Sequence, residues 1–449
     1  MMRVAWAINP CGLVLALVAS LGLCAASANG QNGLSALDTR AVFVNRPAET
    51  GLLVGIDGQW NIKLQAGEKV RFVAASELVY WGAYRDREAG PQFILVDGSV
   101  VRADLLDFGP DELTLGDATG LGRCLWDEAT VSRSAVRGIV LQPPADALDR
   151  DRLIDQTRTY RQTEDQLLLL GGETINGRLQ QAPRSGRFLP ANEPPAEAYV
   201  LARRGMADPL SVPASKVVAL FFGSVAADPP PGANATAIAS DGGMLGFRDG
   251  SLLHTRQVVA KGDTIEFALA AGCALSAPLD QSDEQFPTIW RQITWLQPQN
   301  DRVAFLTQLQ PLGYKHVPLL TLEWPYGADR NVLQGALRSG GSVYSRGVGM
   351  HSASRLAYSI DAGYRRFEAE LALDDAAELR GSVTFKVVVE REPGAWSTAY
   401  ESPVLRGGDA PLPISVDLKG ARRLALIVDF ADRGDEQDHA NWLMARLVK

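Results

Sequence analysis

Apolar and polar residues alternate along most of residues 318–449. The clearest runs lie at residues 367–373, 383–389, 414–418 and 424–430. A period of two places successive side chains on opposite faces of a strand, so each run predicts a half-buried β-strand. Turn-forming residues separate these runs, at 361–363, 391–394 and 406–409. The pattern predicts an antiparallel, jelly-roll-like β-sandwich over residues 318–449, and we expect this segment to fold on its own.

A looser repeat of strand-forming sequence precedes the predicted sandwich. Each clear copy opens with an apolar strand that runs into a glycine turn, at Asp97-Gly98, Gly171-Gly172 and Asp249-Gly250. Such pairs are typical of hairpins because glycine supplies the positive φ that these turns require. The period is roughly 70 residues, which indicates repeated structural units. We predict small SH3-like or Sm-like β-barrel modules, at residues 34–88 (the most divergent), 89–147, 167–228 and 244–316.

Two segments interrupt these modules. Residues 148–166 form a charged stretch with sparse apolar positions, and we interpret it as a helical connector. Residues 229–243 begin with three prolines and a glycine, a composition typical of stiff, exposed linkers. The predicted fold class is therefore mainly β, with a C-terminal sandwich that follows several small barrels.

The N-terminus has the features of a secretory signal peptide. Arg3 precedes an apolar run at residues 11–23, and Ala26-Ser27-Ala28 provides a small-residue cleavage site. The run is shorter than the roughly 20 residues that span a bilayer, so we expect no membrane insertion after cleavage. We predict a signal peptide at residues 1–28 and a secreted, periplasmic or cell-envelope-associated protein.

Charge and cysteine content argue against several kinds of partner and site. The net charge is −8 and no basic block occurs, which argues against nucleic acid. Cys124 and Cys273 remain after the predicted cleavage, too few for a disulfide framework or a zinc site. They could form a bridge between two modules or remain as two buried thiols.

Catalytic motifs do not emerge from the sequence. The chain has four histidines, none in H-E-x-x-H spacing, and no G-x-S-x-G nucleophile motif. Many carboxylates could form the pair that a glycosidase needs, so none is singled out. We therefore predict a protein that is not an enzyme and that requires no cofactor.

Three short motifs occur in order within the predicted sandwich: GVGMHSAS at 347–354, YSI at 358–360 and DHANWLMA at 438–445. In this order they resemble the motifs of NPCBM domains, a family of carbohydrate-binding modules. The chain departs from the family pattern at Asn441, where the family usually has aspartate. The resemblance implies a β-sandwich that binds a glycan or polysaccharide. The motif residues expected to be structural are Gly347, Gly349, Ser354, Asp438, His439, Asn441 and Trp442.

Sugars are held by aromatic faces and by planar polar groups that pair with hydroxyls. The candidate carbohydrate-binding residues are Trp396, Tyr400, Tyr344, Arg346 and His351. Each of the two motif histidines could equally be a core residue that bonds a loop backbone.

Strand alternation in the last motif places Trp442 on the core side and His439 with Asn441 on the polar side. Our hypothesis is that Asp438 and His439 tie this strand by hydrogen bonds to the loop at 347–351.

Acidic residues cluster before the last motif. Asp432, Asp435 and Asp438 lie on one predicted loop, and clustered carboxylates suit calcium. Their spacing does not match an EF-hand, and a solvated acidic loop is the other interpretation.

Two functions follow for the whole chain. The first is a secreted, non-catalytic carbohydrate-binding protein in which the β modules act as a spacer or second binding surface. The alternative is a structural or protein-interaction protein whose sandwich has lost its sugar site. An uncharacterised glycoside-hydrolase-associated protein is the lower alternative.

Overall fold

The computed structural model describes residues 39–87, 90–119, 124–183, 197–223, 242–279, 288–319, 321–432 and 434–449. The predicted signal peptide and nearly all of the predicted linker at 229–243 lie outside these residues. The described residues belong to one unit, Ala36–Lys449, built almost entirely from antiparallel strands. The predicted fold class, mainly β with a C-terminal sandwich, is confirmed.

Small antiparallel modules come first along the chain. The first module contains β1 (Arg40–Phe43), β2 (Glu49–Thr50), β3 (Leu52–Ile56), β4 (Asn61–Ala66), β5 (Lys69–Ala74) and β6 (Leu78–Gly82). The second contains β7 (Gln92–Leu95), β8 (Val100–Arg102), β9 (Asp104–Phe108), β10 (Glu112–Gly116), β11 (Ala129–Ser132) and β12 (Val136–Val140). Helix α1 (Ala147–Thr159) follows and overlaps the stretch predicted as a helical connector, residues 148–166, from one residue before it.

The third and fourth modules repeat the pattern. The third contains β13 (Asp165–Leu169), β14 (Thr174–Gln181), β15 (Ala198–Ala202), β16 (Leu210–Pro213) and β17 (Val217–Phe221). The fourth contains β18 (Gly243–Phe247), β19 (Leu252–Lys261), β20 (Thr264–Leu269), β21 (Ala274–Pro278), helix α2 (Ile289–Gln292) and β22 (Ile293–Pro298). In every module a short helical turn leads into an apolar last strand.

Strands of different modules pair with one another in one large sheet. The last strands pair antiparallel across modules, β12 with β17 and β6 with β22. Strands β8 and β19 join the second module to the fourth through the pair Val100 and Leu252. One cluster of buried apolar side chains runs through all four modules, with Ile62, Phe93, Leu201 and Phe267 as members. Strands apolar on both faces are explained by this arrangement, because each such strand is covered on both sides.

The junction between β8 and β19 is nearly symmetric. The backbone N–H of His254 donates to Ser99 Oγ at 2.9 Å, and that of Arg102 donates to Ser251 Oγ at 3.0 Å. Both serines are buried completely. The serines that directly follow the Asp97-Gly98 and Asp249-Gly250 turns therefore join two modules.

The C-terminal sandwich consists of two packed sheets. The first runs in the order β25 (Gly327–Ala328), β28 (Gly347–His351), β36 (His439–Val448), β30 (Arg366–Leu373) and β34 (Leu412–Asp417), with β23 (Val303–Phe305) also on β36. The second runs β24 (Pro311–His316), β29 (Ser354–Ser359), β35 (Arg423–Phe430), β31 (Ser382–Glu392) and β32 (Ala395–Glu401), with β33 (Leu405–Arg406) also on β31. The hairpin β26 (Leu337–Ser339) and β27 (Ser342–Tyr344) stands apart from both.

Two strands of the sandwich lie before the predicted boundary at residue 318. Strand β23 pairs with the end of β36, and β24 pairs with β29 along five positions. Both segments fall within residues 244–316, predicted as the fourth module, because their apolar runs are too short to show a change of partner. A sandwich cut at residue 318 lacks both strands.

Strand β36 changes face along its length. Met444 has a positive φ of 51°, and the pairing with β30 shifts register opposite it. Trp442 lies in the sandwich core, as strand alternation predicted. Met444 instead packs outward, in a cluster that contains Val42, Tyr80 and Trp295 of the modules. Beyond Met444 the alternation is reversed, so Ala445 and Leu447 face the sandwich core while Met444 and Val448 pack against the modules.

Polar contacts reinforce the packing of the sandwich against the modules. Glu370 of β30 accepts hydrogen bonds from Arg40 at 2.8 Å and from the Tyr80 hydroxyl at 2.5 Å. Val343 and Tyr84 form an isolated β-bridge between the sandwich and the modules. The sandwich and the modules therefore form one packed body.

Cys124 and Cys273 are both free and partly buried, and burial raises the pKa of each thiol to about 11. The bridge left open in the sequence analysis does not form. Among the described residues no helix is long and apolar enough to cross a membrane.

Candidate functional site

A cavity of about 440 Å³ opens at one end of the sandwich. Its lining combines one indole, two imidazoles, aliphatic side chains and polar side chains, from Leu319, Leu322, Trp324, Leu333, His351, Ala376, Asp435, Gln437 and His439. A cavity with aromatic and polar walls has the composition of a small-molecule binding site.

The two imidazoles of the cavity come from paired strand ends. Strand β28 ends at His351, β36 begins at His439, and the two residues face each other in the ladder. Gly349 lies in the same strand, where a Cβ would come within 2.5 Å of Arg330 O and Asn331 Cα. Glycine is needed there because two backbones meet without space for a side chain.

Trp324 extends the aromatic wall. Its ring stacks on His351, with 5.0 Å between centroids and 5° between planes. Its backbone N–H donates to His316 Nδ1 at 3.2 Å, and the His316 ring packs edge-on against His351. Three of the four histidines of the chain therefore meet at this end of the sandwich.

The imidazoles are held in their neutral form. Burial, and then the neighbouring His351, lower the pKa of His439 to about 4. Burial, and then His316, lower the pKa of His351. A neutral imidazole offers one donor and one acceptor. Nδ1 of His439 is buried and has no hydrogen-bond partner within the described part of the chain.

Asp438 contacts a different segment from the one we hypothesised. Its Oδ1 accepts from the backbone N–H of Ser382 at 2.9 Å, and burial raises its pKa to about 6. The tie to residues 347–351 is instead made by the backbone ladder between β28 and β36. Side-chain partners of this kind depend on how loops meet, which strand alternation does not reveal.

Of the five predicted carbohydrate-binding residues, the structure brings His351 alone to the cavity. Arg346 is buried, donates to Asp329 at 2.7 Å and does not line the cavity. Tyr344 packs against the apolar cluster that lies between the sandwich and the modules. Trp396 and Tyr400 lie on β32, at the edge of the second sheet. Trp396 is 43% exposed, so it forms a separate aromatic surface.

The remaining motif residues support the cavity from behind. Asn441 is fully buried and donates from Nδ2 to Asp374 Oδ2 at 2.7 Å. An aspartate at this position would face another carboxylate at that distance, so the amide is the group that fits here. Ser354 donates to the carbonyl of His351 at 2.5 Å.

The three aspartates proposed for calcium have separate surroundings. Asp432 pairs with Arg406 at 2.6 Å, Asp435 lines the cavity, and Asp438 is engaged as described. The described ranges contain no group of three His, Cys, Asp or Glu side chains that could hold a metal ion.

Several cavity residues were missed by the sequence analysis, namely Trp324, Leu333, Ala376, Gln437, Leu319 and Leu322. A signal existed for Trp324, because the string Glu323-Trp324-Pro325-Tyr326-Gly327 places two aromatics beside the first strand of the sandwich. The others come from loops whose meeting depends on the folded sheets.

Comparison with known families identifies the sandwich. Residues 304–448 match the model of the NPCBM/NEW2 domain family, so this region is an NPCBM domain. The match begins at β23, which agrees with the position of the first strand in the sandwich.

Individual relatives are more distant. The chain is 31% identical over 112 residues to a Renibacterium salmoninarum protein named "Putative endo-alpha-N-acetylgalactosaminidase", a match that covers 25% of this chain and 7% of that protein. A solved structure of CBM51-2 in complex with GlcNAc and INT domains from Clostridium perfringens ZmpB is 21% identical over 43% of this chain and 40% of its own, with a TM-score of 0.29. CBM51 from Clostridium perfringens GH95 in complex with methyl-galactose is 19% identical over 32% of this chain and 99% of its own, with a TM-score of 0.29.

Proposed function

We propose that this chain, whose C-terminal sandwich is an NPCBM domain, binds a glycan in the cavity beside Trp324 and catalyses no reaction. The observation that carries the proposal is the composition of the cavity wall. An indole ring offers a face for sugar C–H groups, and two neutral imidazoles lie within 6.1 Å of it between ring centroids. Asp435 and Gln437 add a carboxylate and an amide.

The free polar atom strengthens this proposal. A buried donor or acceptor without a partner costs roughly 1–3 kcal/mol, and folded proteins rarely leave such atoms unpaired. Nδ1 of His439 has no partner among the described residues and belongs to a side chain that lines the cavity. A sugar hydroxyl at this position would supply the missing hydrogen bond.

The proposed setting is outside the cytoplasm. The segment at residues 1–28 has the charge, apolar run and cleavage site of an export signal. Glycans of cell surfaces or of the surrounding medium are then the accessible ligands. The four modules hold the sandwich in place, by the contacts described above.

A glycan array on the full chain tests the proposal. We expect Trp324→Ala to abolish the signal, because the indole is a wall of the cavity. Trp396→Ala is the matched control, since it removes an exposed indole from β32. Loss of binding in Trp396→Ala with normal binding in Trp324→Ala would move the site to the edge of the second sheet.

A protein-interaction role is the second candidate, and exposed leucines favour it. Leu319 and Leu322, at the mouth of the cavity, are 61% and 62% exposed. Apolar side chains at a cavity mouth are typical of surfaces that meet another protein. A wild-type chain that is silent on the array would favour this second role.

A further inference from the structure

One wall of the cavity belongs to the loop between β25 and β26, which packs against helix α1 and so against the part of the chain that precedes the sandwich. Leu333 lines the cavity from the segment between β25 and β26. Asn331 closes this segment, because its backbone N–H donates to Gly335 O at 2.9 Å and its Oδ1 accepts from Gly335 N at 2.8 Å. Leu333 therefore sits at the tip of a tight loop.

The outer side of this loop rests on helix α1. Asp151 accepts from Ala336 N at 2.8 Å and from Arg338 Nη2 at 2.9 Å, and Asp155 forms an ion pair with Arg330. A Cβ on Gly335 would lie 2.8 Å from Leu148 of the helix. The side chains of Asp151 and Arg338 are each only 12% exposed. Buried ion pairs of this kind fix geometry, and removal of one partner is costly.

The inner side of the same loop holds the strands that carry the histidines. Arg330 O accepts from Gly349 N at 3.0 Å, two residues before His351. Asn331 Nδ2 donates to Asp374 at 3.2 Å, and Asp374 accepts from Asn441, two residues after His439. A continuous chain of hydrogen bonds thus runs from α1 through the loop to both cavity strands.

We infer that Asp151 and Asp155 of α1 are positioning residues of the glycan site, so that the NPCBM domain of this chain binds fully only with its upstream half in place. The inference rests on the proposed glycan binding. Helix α1 lies more than a hundred residues before the region that matches the family. It does not line the cavity, and it acts by fixing Leu333 and the strands that carry the two histidines.

Two measurements on the full chain test this inference, with Asp151→Ala and the control Asp149→Ala. Asp149 lies on the same helix, but its side chain is 60% exposed and, among the residues that the structure describes, forms an ion pair with its helix neighbour Arg152. The first measurement is hydrogen–deuterium exchange of residues 329–338, 347–352 and 437–441. The second is the glycan array, with thermal unfolding recorded for each variant.

We expect Asp151→Ala to speed exchange in all three segments and to weaken the strongest array signals on the order of tenfold, since a loosened wall raises the ordering cost of binding. Asp149→Ala should match the wild type in both measurements. Unchanged exchange in the two strand segments, or unchanged array signals with a binding wild type, would overturn the inference. A purely structural role would lower the melting temperature without a segment-specific change in exchange.

Failure of the proposed function would look different. A wild-type chain that binds no glycan, together with faster exchange of the strand segments in Asp151→Ala, would overturn glycan binding and retain the mechanical coupling of α1 to the cavity.

Discussion

Two places in the molecule contain similar residues: the junction of the second and fourth modules, and the cavity of the sandwich. They differ in whether the buried polar atoms compared below have hydrogen-bond partners. Each buries a histidine whose pKa is lowered to about 4, His254 at the junction and His439 at the cavity. At the junction, the hydroxyls of Ser99 and Ser251 accept backbone hydrogen bonds from the other module. At the cavity, Nδ1 of His439 faces no partner among the described residues.

This difference teaches how to separate structural from binding residues in a β-rich chain. Residue type does not distinguish the two places, because both combine histidine, serine and aspartate. The serine hydroxyls of the junction and Nδ1 of His439 do differ in their hydrogen-bond partners, and a polar group that is satisfied by the fold has nothing left to offer a ligand. Ser99 and Ser251 are therefore structural, whereas His439 has an atom available to a ligand.

The largest expected effect comes from the core side of the strand that carries His439. Trp442 is fully buried and packs edge-on against Phe385, with 5.0 Å between ring centroids. Trp442→Ala should destabilise the protein by about 3–5 kcal/mol, as expected for a large core side chain. Urea unfolding followed by circular dichroism measures the change. A sugar-contact role for Trp442 predicts instead that stability is unchanged while the array signal disappears.

A smaller effect is expected at the module junction. Ser251 Oγ accepts from Arg102 N at 3.0 Å and from Trp126 Nε1 at 3.3 Å, so Ser251→Ala leaves two donors unpaired. We expect a loss of about 1–3 kcal/mol in the free energy of unfolding, with glycan-array signals unchanged. Ser99→Ala is the matched variant and should cost less, because the described contacts give Ser99 Oγ a single backbone donor. Weaker glycan binding in either variant would contradict the division between junction and cavity.

The sequence predicted strands better than it predicted their partners. Alternation placed Trp442 in the core and identified the runs of β30, β31 and β35, because a period of two is a local property. It did not predict that β12 pairs with β17, since an apolar strand is compatible with any covered position in a sheet. The reversal of faces at Met444 was also hidden, because it depends on one residue with positive φ.

The cavity was still harder to predict. His351 was identified through a motif, whereas Leu333 and Gln437 come from loops that meet only after both sheets and α1 are in place. Arg346 is the reverse case, because its charge suggested a sugar contact and the fold places it, buried, in an ion pair with Asp329. Local chemistry indicates which residues are capable of binding, and long-range packing decides which of them reach the site.

The smallest effect concerns pH, where the adjacent residues Asp438 and His439 have opposite effects on stability. Burial raises the pKa of Asp438 from 3.8 to about 6, so its contribution to stability grows as pH falls from about 6 to about 4. Burial lowers the pKa of His439 from 6.5 to about 4, so its contribution is lost as pH falls through the same range. His351 and His316 are shifted in the same direction as His439, and Asp435 counters both shifts.

Replacing either Asp438 or His439 should reveal the pH dependence of stability that the other residue contributes. In Asp438→Asn we expect stability to fall more steeply than in the wild type on acidification from about pH 7 to about pH 4.5, by an extra amount on the order of 1 kcal/mol. His439→Gln should show the reverse, a shallower loss, because a histidine that must take up a proton on unfolding is gone. Urea unfolding at the two pH values measures both slopes. Equal slopes in all three proteins would mean that neither group titrates differently in the folded and unfolded chain, and the neutral imidazole beside Trp324 would lose its physical basis.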